Sequence, residues 1–154
     1  GPTSAVANIT VQFVQSPMTA ANFVVVTNED TAVSRTLQGT NPDLAPIAYQ
    51  ILSQPAFGTV ALTNAATGAF TYTPQQYRPG LYSFTYNLVQ AGDVPGVLNT
   101  PPISSTTATV TLNVTRVNHA PVANAVSVSG LQNAAGISGN YNGVDFDLGD
   151  TITY

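Results

Sequence analysis

The run Gly68-Ala69-Phe70-Thr71-Tyr72-Thr73-Pro74 is followed, after Tyr77-Arg78-Pro79-Gly80, by Tyr82-Ser83-Phe84-Thr85-Tyr86-Asn87-Leu88. Apolar and polar residues alternate through both runs. A period of two places Phe70, Tyr72, Phe84, Tyr86 and Leu88 on one face of an extended chain, where they would fill the core between two sheets. Thr, Tyr and Phe suit a pleated surface with one face buried. Outward from this centre the same beat returns in Ile9-Thr10-Val11-Gln12-Phe13-Val14 and in Val110-Thr111-Leu112-Asn113-Val114. Breakers separate the runs: Asn41-Pro42-Asp43, Ala66-Thr67-Gly68, Arg78-Pro79-Gly80, Gly92-Asp93-Val94-Pro95-Gly96 and Pro101-Pro102. Gly58 and Gly80 stand where a turn needs positive φ or close backbone approach. The Leu131–Ala135 stretch is too short, and too close to glycine, for a helical stripe. The expectation is all-β: an antiparallel sandwich of seven or eight strands.

Composition narrows the chemistry. Charged residues are 6% of the 154, against about 25% in ordinary domains, while the hydrophobic class stands at 44%. Three arginines, no lysine and a net charge of −4 leave no basic face for a phosphate backbone, which argues against nucleic-acid binding. With no cysteine there is no disulfide framework, thiolate metal site or thiol nucleophile. The absence of lysine removes Schiff-base chemistry and any lysine isopeptide crosslink. No run reaches the roughly 18 apolar residues of a membrane span. Gly1-Pro2 reads as the remnant of a protease cleavage, which suggests an excised piece of a longer protein.

The chain also resembles itself. Ala7–Val14 followed by Ser16-Pro17 is similar to Ala108–Val114 followed by Ala120-Pro121, and Gly39–Tyr49 is similar to Gly143–Tyr154. Both matches imply a period of roughly 100 residues, the size of one sandwich domain. The expected division is 1–16 as cleavage remnant and last strand of a preceding repeat, 17–118 as a complete repeat, and 119–154 as linker and first part of a following one.

The string Thr27-Asn28-Glu29-Asp30-Thr31, then Leu37-Gln38-Gly39, then Pro55-Ala56-Phe57-Gly58-Thr59-Val60 resembles bacterial cadherin-like or Ig-like tandem repeats. So do Gly68–Pro74 with Tyr77, Gly80 and Tyr82–Tyr86, the closing Ala108–Thr115, and the Val117-Asn118-His119-Ala120-Pro121-Val122-Ala123 junction. The resemblance covers nearly the whole chain. It implies a cadherin-like sandwich from a large secreted or surface-attached bacterial adhesin, where such repeats act as spacers, sometimes stiffened by calcium.

One constellation could hold that ion: Asp145-Phe146-Asp147-Leu148-Gly149-Asp150. Carboxylates at alternate positions project to one side, and Gly149 lets the backbone turn so that Asp150 joins them. Such a group repels itself unless a cation intervenes, and Ca²⁺ takes six to eight oxygens. The spacing is not that of an EF-hand. The resemblance adds Glu29, with Asp30, from the preceding repeat and Asn118, with its backbone carbonyl, from the linker. Against this, His119 stands where the family pattern carries a carboxylate, and the loop Gln75-Gln76-Tyr77-Arg78 lacks the mid-repeat acids of animal cadherins. The plain alternative is a solvated turn, where Asp is favoured for local hydrogen bonds.

Other candidates read as structural. His119, the single histidine, reads as linker surface rather than a general base. Glu29 and Asp30 point to opposite faces if extended, so they make no glycosidase pair. The Asn8-Ile9-Thr10 and Asn113-Val114-Thr115 sequons fall in strands, where Thr recurs for β propensity. The expected role is a non-enzymatic extracellular spacer whose partners are neighbouring repeats of the same chain, with strand-mediated self-association through unpaired ends. The alternative is a glycan- or protein-binding module of an adhesin or secreted enzyme.

Overall fold

A computed structural model describes residues 1, 15–90, 103–147 and 149–153. The expected strand Ile9–Val14, the Gly92–Gly96 and Pro101-Pro102 breakers, Leu148 and Tyr154 lie outside the described residues, where all regular structure is strand. Among the described residues, ten strands precede residue 116: β1 (Thr19–Ala20), β2 (Phe23–Asn28), β3 (Val33–Thr36), β4 (Gly39–Thr40), β5 (Ile47–Ser53), β6 (Thr59–Asn64), β7 (Ala69–Thr73), β8 (Gly80–Gln90), β9 (Ile103–Ser104) and β10 (Ala108–Thr115). A short pair follows, β11 (Val122–Ala123) and β12 (Gly143–Val144).

Two sheets face each other. One runs β2-β10-β8-β5, with β9 beside β8, and the other β3-β7-β6. The alternating runs behave as their period requires: Phe70, Tyr72, Phe84, Tyr86 and Leu88 are all buried, together with Val110, Leu112 and Val114. Phe70 meets Phe84 edge-on at 5.3 Å, a favoured geometry for aromatic quadrupoles. Tyr86 carries its hydroxyl into this core, within 2.6 Å of both the Ala21 and Gln38 carbonyls. Burial pushes its pKa up. At the start of β8 the Tyr82 hydroxyl donates back to the Pro79 carbonyl at 3.0 Å, closing a corner at Gly80 (φ 146°). Gly58 has φ 80°, and a Cβ there would lie 2.5 Å from the Thr73 carbonyl. Both glycines occupy the conformations their turns demand.

One pairing departs from the antiparallel scheme. β2 lies parallel to β10, from Phe23 beside Val110 to Asn28 beside Thr115. The sandwich therefore receives its chain at one end and releases it at the other. At the entry end β1 pairs with β4, Thr19 to Thr40 and Ala20 to Gly39. Beyond the exit, β11 pairs with β12 in the same way, Val122 to Val144 and Ala123 to Gly143. The amide bonds just inside these pairs also match, Ala21 to Gln38 at 3.0 Å and Asn124 to Asn142 at 2.8 Å.

Candidate metal centre at the junction

The exit end gathers most of the chain's charge. The last β2–β10 register holds Asn28 against Thr115, and the Thr115 hydroxyl lies 2.5 Å from Asn28 Oδ1. The chain then turns instead of continuing: Thr31 N–H donates to the Asn28 carbonyl, the Thr27 hydroxyl to the Thr31 carbonyl, and Asp30 takes φ 61°. Asx residues tolerate that left-handed conformation. The turn corrects the extended reading of Glu29 and Asp30. Both carboxylates reach the same junction.

Glu29 is 1% exposed, and its Oε1 accepts the Val117 N–H at 2.8 Å. Its Oε2 is buried without a partner. From the following segment, Asp147 is 5% exposed and receives His119 twice: the backbone N–H donates to Oδ2 at 2.6 Å, and imidazole Nδ1 lies 2.8 Å from Oδ1. On its far side the imidazole places Nε2 2.7 Å from Asp30 Oδ2. Asp145 Oδ1 accepts the Asp147 N–H at 2.9 Å, the Asx geometry that an alternating Asp-x-Asp allows. Arg116 pairs directly with Asp150 and lies 3.6 Å from Asp147 Oδ2.

Protonation follows from these contacts. The Asp147 carboxylate, and then that of Asp30, hold the His119 imidazolium, raising its pKa above the ordinary value. The His119 backbone N–H, then its ring and Arg116, stabilise ionised Asp147, whose pKa is lowered. Above the ring pair, Tyr77 packs edge-on to His119 at 4.8 Å and stacks on Phe146 at 5.1 Å. Tyr77 sits at φ 56° in the loop before β8, so its ring leaves the sandwich to cover the junction.

Four of the five expected site residues thus come together: Glu29, Asp145, Asp147 and Asp150. Asn118 is exposed, and its side chain makes no hydrogen bond to the cluster. His119 is not plain linker surface either; it bridges two carboxylates. Asp30, Arg116, Tyr77 and Phe146 complete the arrangement. Arg116 and His119 were detectable as the only basic residues beside the linker, whereas nothing near Tyr77 in sequence marks its distant partners.

The donor set suits a hard divalent cation. Five of the chain's seven side-chain carboxylates converge here, and among the described residues their basic partners are Arg116 and His119. Ligand atoms of Asp145, Asp147 and Asp150 lie within 4.8 Å of one another, as do those of Glu29, His119 and Asp147. Asp147 belongs to both groups. The unpartnered Glu29 Oε2 is the sharpest sign of fit, since a buried carboxylate oxygen without a donor is costly.

Solved structures that align with the chain include human mucin-like protocadherin EC1-2, at 21% identity and TM-score 0.47, over 66% of this chain and 54% of that one, and an endo-fucoidan hydrolase of glycoside hydrolase family 107, at 24% identity and TM-score 0.44, over 68% and 14%. The chain thus spans about half of the protocadherin fragment and a small part of the hydrolase. No curated protein sequence matches it. The family model of the bacterial Ig domain matches residues 15–115, from the approach to β1 to the end of β10. The chain belongs to the bacterial Ig domain family.

Proposed function

We propose that this chain is a spacer from a long extracellular bacterial surface protein, built to be strung end to end with others like it. The observation that carries this reading is the parallel β2–β10 pair, which puts chain entry and exit at opposite ends of the sandwich. A domain with both termini at one end would make a side branch; this one extends a rod. The repeated β1–β4 and β11–β12 pairing supports 17–118 as one complete unit, with 119–154 beginning the next. Low charge and an outer face rich in Thr and Asn favour solubility and give little to steer a partner. The role is mechanical rather than enzymatic: the junction carboxylates are tied to basic groups and backbone amides.

The junction has a second property in this reading, a binding site for calcium. Glu29 Oε2, Asp145, Asp147 and Asp150 would hold the ion, with waters completing its shell. An ion held from both sides would cross-link two units and restrict their hinge, stabilising the joined form by mass action. Calcium added to the full chain after EDTA treatment should raise its melting temperature, and Asp147→Ala should abolish the rise. A melting curve indifferent to calcium would remove the cation from this account while leaving the spacer role to the parallel strands.

A further inference from the structure

We propose that Arg116 is the junction's resident counter-ion, a tethered guanidinium that a divalent cation must displace from between Asp147 and Asp150. The inference rests on the cation reading above and adds the element that sets the site's threshold. Arg116 Nη2 pairs with Asp150 Oδ2 and lies 3.6 Å from Asp147 Oδ2. An ion bridging those two oxygens at about 2.3–2.6 Å needs the volume that Nη2 fills. The two cations therefore exclude each other. The exchange is feasible because the Arg116 side chain is 40% exposed, and its long stem can swing into water without opening the core.

The entry end of the same sandwich provides an internal comparison. There the Ser16 N–H donates to Asp43 Oδ2 at 2.9 Å, and the Asp43 N–H to Asn41 Oδ1 at 3.2 Å, matching His119, Asp147 and Asp145 contact for contact. Asn41 stands in place of an acid, and the residue three before Ser16 is Phe13, whereas the residue three before His119 is Arg116. The arginine accompanies the carboxylates, not the loop geometry. When the ion leaves, Arg116 neutralises Asp150 and joins His119 at Asp147, holding the turn closed. When the ion binds, its affinity is reduced by the pair it breaks.

The test is calorimetric titration of calcium chloride, at fixed ionic strength, into the wild-type chain, Arg116→Gln and Arg35→Gln. Arg35 lies in β3, bonded to its neighbour's carbonyl, and controls for net charge. Arg116→Gln should bind about two- to fivefold more tightly than wild type, the range expected for releasing one exposed ion pair, with Arg35→Gln unchanged. Binding by Arg116→Gln alone would be the same result in stronger form. If wild type binds and Arg116→Gln is no tighter, or Arg35→Gln gains equally, the displacement idea is overturned and the cation site stands. If no form binds, both fall. Without calcium, Arg116→Gln should also melt below wild type; an equal or higher melting temperature would contradict the holding role.

Discussion

The amide of Ser16 donates to the Asp43 carboxylate at 2.9 Å, as the amide of His119 donates to Asp147 at 2.6 Å one repeat later. The two bonds sit at opposite ends of one sandwich and stand on the same scaffold, a two-residue strand pair followed by an Asx turn. Backbone geometry is therefore common to the two ends, and side-chain chemistry distinguishes them. Among the described residues, one end carries the carboxylate of Asp43 and the other gathers five.

Tyr77 should govern the stiffness of the joint without governing the fold. Its ring touches His119 and Phe146 rather than the core. Tyr77→Ala should leave the main unfolding midpoint within about 0.5 kcal/mol, as expected for a change outside the core, yet increase the radius of gyration in small-angle scattering. An unchanged radius would show that the stacked rings do not hold the two segments together.

The calcium-free joint should weaken with alkali. The His119 pKa is raised in the folded chain, chiefly by Asp147, so the stability it contributes is complete below its unfolded value of about 6.5 and disappears as pH rises through the higher folded value. Asp147 acts oppositely: its lowered pKa gives stability present above about 3.9 and lost as pH falls through the folded value. Between these limits the clasp is strongest. Melting in EDTA should favour wild type over His119→Gln at pH 6, with the gap closing toward pH 9. Parallel profiles would exclude the imidazolium as a contributor.

Gly58 tests the sandwich independently of the joint. Alanine there must adopt φ 80° with Cβ 2.5 Å from the Thr73 carbonyl. Gly58→Ala should cost about 1–3 kcal/mol, the usual range for a non-glycine residue in a strained conformation, and lower the denaturant midpoint with little change in slope. A neutral substitution would mean that the turn relaxes.

The fold was legible because its signal is local. Phe70, Tyr72, Phe84, Tyr86 and Leu88 announce their buried face through a period of two, and each is buried. Gly58 and Gly80 likewise carry their turns in their own chemistry. The parallel β2–β10 pair was not legible, since it joins Phe23 to Val110 and no local pattern encodes strand direction. At the junction, the Asp-x-Asp spacing located Asp145 and Asp147, and the glycine after them located Asp150. Their partners depend on a turn at Asp30 that swings Glu29 inward, and on a loop that carries Tyr77 across to Phe146. Those are tertiary facts, and so His119 was read as linker surface although it and Arg116 do the cluster's bonding.

The segment after β10 is fastened to the sandwich at Glu29 and folded against itself at Asp147. Amide hydrogen exchange at Val117 and His119 reads that fastening directly, because their N–H groups donate to those two carboxylates. The account predicts slow exchange at both amides in the wild-type chain and release of the His119 amide in Asp147→Ala, with the β8 and β10 core still protected. Exchange at both amides as fast as in an unstructured peptide would mean that no ordered joint exists.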